Sequence, residues 1–557
     1  MGVQDLGNLF GFVGGVGMFL YGMQIMGDGM QKTAGKKMSS LLGKLTSNRI
    51  LAILVGALVT AIIQSSGATT VMVVGFVNAG IMNLSQAIGV IMGANIGTTI
   101  TSWIVSMSAL GDAVSILKPS FLAPVLIGIG AFITLFTKSD RKRIVGEILV
   151  GLGLLFIGLD FMTDSASAYT DMPIFAKAFA TLGNNPILGV IVGAVVTAIL
   201  QSSSASVGIV QSLAMNGVVT VNAAVFLTLG QNIGSCVTAL ISCAGANRTA
   251  KRAAIMHLLF NVVGAVVFGL VAFVYFTFFN QVFAQSSISS VQISILHSMF
   301  NITNTLLLVP FANLLVKMSG LIVREKPGDE EEDTNRVENI RKHLDARLLE
   351  APSVAFDAVR NEVVEMGQLA IENTARAVSA AVLGDTGKIE RVHKNEITIN
   401  EIEHLLSDYL VQLSNLSLTN EQHVVLKNLF YVISDVERVG DHAKNIAELA
   451  EYRVKNGIEF TEGGAQDLQE MSQTAVMALE RAVAALKNDN VNLAREAQAL
   501  EDRVDTMEKK LREEHIERLA KGLCNSSSGV VFLDIVSNLE RVSDHADNIA
   551  GYVVESN

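Results

Sequence analysis

The chain has 557 residues, half of them hydrophobic and 17% charged, and its mean hydropathy is +0.44. Up to Lys326 it has 17 Lys and Arg against 9 Asp and Glu, whereas the remainder has 24 against 43. This composition excludes a single soluble globular domain and predicts a membrane domain followed by an acidic soluble one. We expect no nucleic-acid partner, and the three cysteines suggest no disulfide framework.

Apolar runs of about 20 residues, long enough to cross a bilayer as helices, recur through the first part. Full spans are predicted near residues 7–27, 85–107, 120–137, 144–162, 222–243, 254–279 and 291–316. The first run lacks a basic region before it, so we expect a retained span rather than a cleaved signal peptide.

An internal duplication organises the membrane domain. Residues 56–101 are similar in sequence to residues 193–238, and the two segments align without a gap at an offset of 137 residues. Polar clusters stand at the centres of both copies, Gln64-Ser65-Ser66 and Gln201-Ser202-Ser203-Ser204, where lipid penalises every unsatisfied polar group. Residues 50–81 and 187–219 are each predicted to form a re-entrant hairpin of two half-helices with such a cluster at its tip.

The basic residues predict how the chain threads the membrane. If both segments are hairpins, every basic cluster lies on one face and Lys118 and Lys177 lie on the other. The clustered residues are Lys32, Lys36, Lys37, Lys44, Arg49, Lys138, Arg141, Lys142, Arg143, Arg248, Lys251, Arg252, Lys317 and Arg324. A full crossing by either segment would split the clusters, against the positive-inside rule. We therefore predict an outside N-terminus, a cytoplasmic acidic domain and hairpins that enter from opposite sides.

Inverted repeats with broken helices are typical of secondary transporters, which bind substrate and coupling ions at the repeat interface. The repeats cover about residues 7–137 and 144–279, and residues 291–316 form an extra span. Residues 50–111 and 178–247 contain no Lys, Arg, Asp or Glu. Helix N-termini at the tips favour an anion, and freed carbonyls and hydroxyls suit sodium. An anion held only by neutral donors carries its charge into the bilayer, which is costly, so we expect cations to travel with it. This predicts ion-coupled symport.

The two hairpins, each followed by a G-x-N-I-G segment at residues 93–97 and 230–234, resemble the type II sodium/phosphate cotransporter family over about 320 residues. The resemblance implies a membrane-embedded site for inorganic phosphate and sodium. The implied site residues are Gln64, Ser65, Ser66, Gln201, Ser202, Ser203 and Ser204, with Asn95, Thr98, Asn232 and Ser235 nearby. Gly67 stands where the second tip has Ser204, so the tips are not expected to contribute equally.

Other readings of these residues stay open. Small residues in membrane helices often pack helices together rather than bind ligands, which applies to the G-x-N-I-G glycines. Asp160 is an acid inside a predicted span; it either joins a cation site or is solvated near the outer interface. His257 and His297, with Asn261 and Asn301, are interpreted as buried packing groups.

Beyond an acidic linker at residues 324–349, amphipathic periodicity predicts six helices in two sets of three. Residues 437–446 match 540–549 at an offset of 103, and Glu396-x-x-x-Asn400 pairs with Glu501-x-x-x-Asp505. E-x-x-x-D places two carboxylates on one helix face, where Arg438 and Arg541 could neutralise them or a metal could bind. The domain, about residues 350–555, is similar to PhoU, a regulator of phosphate uptake with multinuclear metal sites.

The PhoU resemblance implies that oxygen ligands bind a divalent or ferric metal. The implied ligands are Glu396, Glu437, Asp441, Glu501, Asp505, Glu540 and Asp544, and Asn400 is expected to weaken one site.

These observations predict an all-α, multi-pass protein of the plasma (inner) membrane. Residues 1–323 form the transport domain and residues 350–557 a cytoplasmic regulatory domain of two three-helix bundles. The predicted function is sodium-coupled phosphate symport; a phosphate exporter and a membrane-anchored phosphate sensor are alternatives. The sequence contains no P-loop, no nucleophile elbow and no H-E-x-x-H motif, so we do not expect an enzyme. The further partners that we consider are membrane lipid, cytoplasmic regulatory proteins and other copies of the chain in a homo-oligomer.

Overall fold

A computed structural model describes residues 3–43, 48–109, 119–167, 181–182, 185–324 and 336–555. The chain divides into two compact units. The first comprises Met1–Glu331 and Asp345–Val354, and the second comprises Glu332–Leu344 and Ala355–Asn557. Within the described ranges all regular elements are helical, which confirms the all-α prediction. Lys44, Lys118 and Lys177 of the topology argument lie outside these ranges.

The first unit contains fourteen numbered α-helices within the described ranges. They are α1 Val3–Gly43, α2 Arg49–Ile63, α3 Ser66–Asn78, α4 Leu84–Ser106, α5 Pro119–Phe136, α6 Asp140–Ser167, α7 Pro186–Leu200, α8 Ser203–Met215, α9 Val221–Gly234, α10 Cys236–Ser242, α11 Arg248–Val274, α12 Gln281–Gln285, α13 Ser290–Leu308 and α14 Ala312–Ile322. A π-helical turn, Tyr275–Phe279, extends α11. A 3-10 turn, Val309–Phe311, separates α13 from α14.

Six helical stretches in the described ranges are long and apolar enough to cross a membrane. They are Leu6–Ala34, Leu84–Ser106, Asp140–Ser167, Val221–Ser242, Arg248–Phe279 and Ser290–Ile322. The remaining predicted span, residues 120–137, corresponds to α5, which is shorter than these six stretches. The helices α2, α3, α7 and α8 are shorter and apolar, with 13 to 15 residues each. Helices of that length reach about 20 Å, less than the thickness of a hydrocarbon core.

Glycines let α1 and α6 lie in close contact. A Cβ atom added to Gly15 would come within 2.8 Å of the Gly158 carbonyl oxygen, and one added to Gly22 would meet the backbone at Gly151 and Leu155. Phe19 lies between these glycines on α1 and is 1% exposed. The small residues therefore bring the two backbones together, as is common between membrane helices.

Two side-chain contacts join α4 to α13. The Ser102 and Ser294 hydroxyls lie 2.8 Å apart, and the indole N–H of Trp103 donates to the Ser298 hydroxyl at 2.9 Å. The extra span is thereby tied to the first repeat.

The second unit contains a short helix, α15 Arg336–His343, and then six long ones. These are α16 Pro352–Leu383, α17 Thr386–Ser414, α18 Asn420–Lys455, α19 Glu462–Asn488, α20 Val491–Ala520 and α21 Ser526–Glu555. The six-helix prediction is confirmed. A core of residues from α16 to α21, including Ile446, Leu468 and Ile535, is almost fully buried.

Candidate functional site

Both predicted hairpins are broken at their Gln-Ser-Ser centres with nearly the same backbone geometry. The first half-helix ends on Gln64 in one repeat (φ 58°) and on Gln201 in the other (φ 52°), both in the left-handed region. The next residues, Ser65 and Ser202, are extended and start the second half-helix. Their hydroxyls accept the N–H groups of Ala68 and Ala205 at 3.1 and 3.2 Å. The same local sequence thus produces the same break twice.

The start of each second half-helix offers free donors. The first N–H groups of a helix have no partner within it, and the serine cap occupies one of them. The helix dipole adds partial positive charge at the same end. Ser66 and Ser203 are the first helical residues of α3 and α8, so their N–H groups belong to this set. The arrangement can bind an anion without a fixed positive charge.

The two tips differ in how their glutamines are held. Gln64 is buried, and its side-chain oxygen accepts the Thr101 hydroxyl at 2.8 Å. Its amide nitrogen donates to the Ala61 carbonyl. Gln201 occupies the equivalent position but is exposed. The expected inequality of the tips therefore involves their glutamines as well as Gly67.

Each hairpin packs on a helix of the opposite repeat. A Cβ atom added to Gly67 would lie 3.4 Å from the Thr238 methyl carbon on α10. On the other side, the Gln211 amide of α8 donates to the Ser102 and Ser290 carbonyls, both at 3.1 Å, and to the Ser294 hydroxyl at 3.0 Å. The hairpins thus bring the two repeats into contact, at the first tip through Gly67 and further along the second hairpin through Gln211.

Sequence reasoning missed this network around Gln211. Gln211 and Ser294 are 0% exposed, and Ser102 is 3% exposed. One signal was present in the sequence, because a glutamine in an apolar half-helix needs a buried partner. The serines gave no comparable signal, since Ser is common at membrane helix contacts.

The glycines of the two G-x-N-I-G segments serve close helix packing. A Cβ atom added to Gly93 would overlap the backbone of α2 at Ile53, and one added to Gly230 would overlap α7 at Val190. The amide nitrogens of Asn95 and Asn232 donate to carbonyl oxygens four residues earlier, both at 2.9 Å. The hydroxyls of Thr98 and Ser235 likewise bond within their own helical segments. Among the described residues, no hydrogen bond joins these four side chains to the Gln-Ser-Ser residues.

Asp160 lies half-buried on α6, near Thr163. The Thr163 hydroxyl lies 3.1 Å from that of Ser212, and the Thr163 carbonyl accepts the Asn216 amide at 2.9 Å. This part of α6 therefore packs on the second half of α8, away from the Gln-Ser-Ser tip.

The buried histidines have a repeated local arrangement. The Asn261 amide donates to the His257 carbonyl at 3.2 Å, and the Asn301 amide to the His297 carbonyl at 2.9 Å. All four residues are at most 1% exposed. The imidazole nitrogens have no hydrogen-bond partner within the described part of the chain, so neither ring is hydrogen-bonded to a predicted substrate residue.

In the acidic unit, three of the predicted metal ligands converge on the second bundle. One carboxylate oxygen from each of Glu501, Asp505 and Asp544 lies within 4.8 Å of the others. Glu540 is nearby and pairs with Arg541 at 3.6 Å. Arg541 also contacts Asp544 at 3.2 Å, so one cation faces several acids. Carboxylate oxygens in this arrangement suit a hard or borderline metal ion.

The pKa shifts in this cluster reflect burial and mutual repulsion. Burial, and then the Asp505 carboxylate, raise the pKa of Glu501 to about 7. Burial raises the pKa of Glu540, with Asp544 adding to the effect, and burial also raises that of Asp544. A bound cation would stabilise the ionised carboxylates and reverse these shifts.

The equivalent surface of the first bundle is partly neutralised. The Lys444 ammonium donates to Glu396 at 3.1 Å, and the Asn400 amide donates to the same oxygen at 2.8 Å. Lys444 corresponds to Asp547 of the second bundle at the offset of 103. Glu437 and Asp441 remain, and burial and the Asp441 charge raise the pKa of Glu437. The repeat alignment contained this Lys-for-Asp difference, but our sequence analysis used only Asn400.

Comparison with known families covers both units. Residues 18–164 and 170–298 match the Na+/Pi-cotransporter family. Residues 363–450 and 468–553 match the PhoU domain.

Individual relatives match either nearly the whole chain or one part of it. The chain is 25% identical over 542 residues, 97% of its length and 96% of the relative, to YjbB of Salmonella typhimurium, whose name assigns it to inorganic phosphate export. It is 35% identical over 111 residues, 20% of this chain and 16% of the relative, to human sodium-dependent phosphate transport protein 2B. A crystal structure of PhoU from Pseudomonas aeruginosa aligns with 36% of this chain and 94% of its own at 23% identity and a TM-score of 0.34.

Proposed function

Because this chain joins a membrane domain of the Na+/Pi-cotransporter family to a PhoU domain, we propose that it is a sodium-coupled secondary transporter of inorganic phosphate. The observation that carries the proposal is the repeated break, a left-handed glutamine followed by a serine cap, at Gln64-Ser65 and Gln201-Ser202. Two helix N-termini with adjacent hydroxyls provide donors for a phosphate anion. Alternating access follows from the relative movement of two similar repeats.

The coupling to sodium is inferred from charge. Neither hairpin carries an acidic or basic residue, and moving one charge to the bilayer centre costs roughly 2.5 to 3.5 kcal/mol or more. Cations that travel with phosphate would offset this cost. Hydroxyl, carboxamide and carbonyl oxygens near the tips suit sodium. Asp160 lies away from the tips on α6 and is a candidate ligand for a separate cation site.

The proposed location is the plasma (inner) membrane, with the N-terminus outside and the acidic domain in the cytoplasm. The positive-inside rule supports this orientation because the basic clusters then share the cytoplasmic face. In that orientation the first hairpin enters from the cytoplasm and the second from outside.

Radiolabelled phosphate uptake into proteoliposomes tests the function, with sodium, potassium or proton gradients imposed in turn. We expect uptake that requires sodium and moves phosphate against its own gradient. Replacing Ser65, Ser66, Ser202 and Ser203 together by Ala should abolish it. Phosphate binding without flux under every gradient would instead favour a sensor.

Net export is a second candidate, favoured by the name of YjbB, which matches nearly the whole chain. Direction depends on the coupling ion and its gradient rather than on the binding residues. Release of preloaded phosphate from vesicles of known orientation separates the two directions. Sodium-independent release would favour export.

For the acidic domain, we propose metal-dependent regulation of transport, with the metal held in the second bundle. Glu501, Asp505 and Asp544 fit a divalent or ferric ion by the chemistry and proximity of their carboxylates. Lys444 makes the first bundle a weaker site. Cytoplasmic regulatory proteins and a second copy of the chain are the partners we would test by crosslinking.

A further inference from the structure

A short segment after the linker helix α15 belongs to the membrane unit, although the chain before and after it belongs to the acidic unit. The division places Asp345–Val354 in the first unit, between Glu332–Leu344 and Ala355–Asn557 of the second. The segment contains a 3-10 turn, Ala346–Glu350, whose start Asp345 caps by accepting the Arg347 N–H at 2.9 Å. We call residues 345–351 the latch.

The latch is bonded to the hairpin of the first repeat. The Asn78 amide, at the end of α3, donates to the Asp345 carboxylate at 2.7 Å. Leu348 is fully buried, and a Cβ atom added to Gly75 would lie 3.2 Å from its methyl carbon and 3.0 Å from the Arg347 Cβ. Gly75 therefore leaves the space in which the latch packs on α3.

The same segment is bonded to the second repeat. The Arg347 guanidinium donates to the Ser242 carbonyl at 2.7 Å and to the Ala244 carbonyl at 3.3 Å, both at the end of α10. It also pairs with Asp345 at 2.6 Å, and the two side chains are 16% and 4% exposed. Bonds between charged groups with so little solvent contact are stronger than neutral or exposed ones.

The latch thus connects the first hairpin to the second repeat, and the proposed alternating access moves the two repeats relative to each other. Asn78 ends the first hairpin, and Ser242 ends the helix that the first hairpin tip faces across Gly67. The Asp345–Arg347 pair bonds to both ends at once. Both lie on the face that carries the basic clusters in the proposed topology.

We propose that the latch is a docked brake, which holds the first hairpin against the second repeat and slows transport until it is released. The proposal rests on the proposed transport function and adds its regulation. Because α15 and the part of α16 from Ala355 onward belong to the acidic unit, chain connectivity gives that unit a direct means of releasing the latch. We call the surface formed by Gly75, Asn78 and the carbonyls at the end of α10 the receptor site of the latch. It fits an Asp-x-Arg turn that is followed by an apolar residue.

The first experiment measures initial phosphate uptake by full-length variants in proteoliposomes. Arg347→Ala should raise the rate by roughly tenfold, the scale set by losing one or two charge-assisted hydrogen bonds. Gly75→Leu fills the receptor site and should have the same effect, while a larger residue at Gly75 favours the α3 helix. Arg341→Ala removes the same charge from the exposed face of α15 and should leave the rate unchanged.

A disulfide tests docking directly. The Cβ–Cβ separation of about 3.0 Å between positions 75 and 347 needs a shift of about 0.5 Å to reach disulfide geometry. We would combine Gly75→Cys and Arg347→Cys in a protein whose Cys243 and Cys524 are replaced by Ser. Oxidation should form the bond and slow uptake, and reduction should restore the fast rate. Gly75→Cys alone should not respond to oxidant.

The outcomes separate the two proposals. An unchanged or slower rate in Arg347→Ala, or equal rates in the oxidised and reduced double-cysteine protein after mass spectrometry shows the bond, would overturn the brake while leaving transport intact. Absence of phosphate flux in the wild-type protein would overturn the transport function and the brake with it. Failure of the disulfide to form would show that the latch does not dock.

Discussion

Gln64 and Gln201 place strain at the proposed binding site. Among the described residues, three non-glycine residues have positive φ, and two of them are these glutamines. The left-handed conformation costs an L-residue roughly 1 to 2 kcal/mol. Glycine would avoid that cost, yet both repeats have glutamine. Strain that persists at equivalent places in two repeats indicates a use for the side chain.

We predict that Gln201→Gly leaves the protein as stable or more stable, by roughly 1 kcal/mol, whereas in Gln64→Gly the loss of the bond to Thr101 offsets that gain. In both variants transport should fall by at least about tenfold. Thermal unfolding in detergent and phosphate uptake are the two measurements. Asp489→Gly is the matched control, because Asp489 is the third left-handed residue and ends α19 in the acidic unit. It should gain stability without losing transport. Normal uptake by both glutamine variants would contradict a binding role.

Lys444 and Asn400 explain why we expect unequal metal binding by the two bundles. We predict that Lys444→Asp combined with Asn400→Asp increases the metal content of the purified protein, because it recreates the carboxylate set of the second bundle. Elemental analysis measures the ratio of metal to protein. The counterpart, Glu501→Gln with Asp544→Asn, should remove metal from the wild-type background. Unchanged metal in both variants would exclude these sites.

The raised pKa values predict a pH dependence with a definite sign. The pKa of Glu501 rises from its ordinary 4.5 to about 7 in the folded protein, so the folded state holds more protons than the unfolded one between those values. Without metal, the stability of the acidic unit should fall as pH rises from about 4.5 to about 7. Metal affinity should show the opposite trend and weaken below about pH 7, because the ligands must be ionised.

Calorimetric titration and thermal unfolding at pH 5, pH 6 and pH 7 measure both trends, on metal-free and metal-loaded protein. Glu501→Gln is the control, because it cannot ionise and should flatten the metal-free profile. A metal-free stability that rises between pH 5 and 7 would show that other groups dominate.

At the scale of elements, the close packing of helices depends on a few glycines. We predict that Gly230→Ala destabilises the membrane unit by roughly 1 to 3 kcal/mol, because the new Cβ would overlap the α7 backbone at Val190. Gly269→Ala on α11 is the control, since its new Cβ would find the nearest atom at 3.6 Å. It should be neutral or stabilising, because alanine favours a helix interior. Equal melting temperatures for the two variants would contradict the packing role of Gly230.

Sequence reasoning located most elements because their signals are local. A polar Gln-Ser-Ser cluster in an apolar run indicates a break on its own, and the structure ends α2 and α7 there. The break at Ser235 between α9 and α10 was not predicted, since the equivalent helix α4 continues through Thr98 in the first repeat. Such a difference arises from packing between distant residues, which one sequence does not reveal.

For the candidate site too, the local features could be predicted from the sequence and the long-range contacts could not. The Gln-Ser-Ser residues could be chosen from sequence, but the contact of Gln211 with Ser102, 109 residues away, depends on how the repeats meet. Residues 345–349 of the latch were included in the predicted linker, because they follow an acidic stretch and come before the first long helix. Its docking depends on the space at Gly75 and on carbonyls at the end of α10, which have no sequence signal.

At the scale of the whole molecule, the proposed inversion of the repeats makes a prediction about sidedness. Ile81 and Val218 follow the two hairpins at equivalent positions, 137 residues apart. We predict that a membrane-impermeant maleimide labels Val218→Cys in intact cells and Ile81→Cys in inside-out vesicles alone, in a background with Cys243 and Cys524 replaced by Ser. Labelling of both from the same side would show parallel rather than inverted repeats.

The single tryptophan of the chain gives the protein a built-in optical reporter. Trp103 lies on α4, 40% exposed, with its indole N–H bonded to Ser298 of α13. Indole emission depends on polarity and hydrogen bonding, so any movement between the first repeat and the extra span changes its spectrum. Phosphate and sodium can therefore be titrated against the fluorescence of the unlabelled wild-type protein, and the rate of its conformational cycle can be followed by stopped flow.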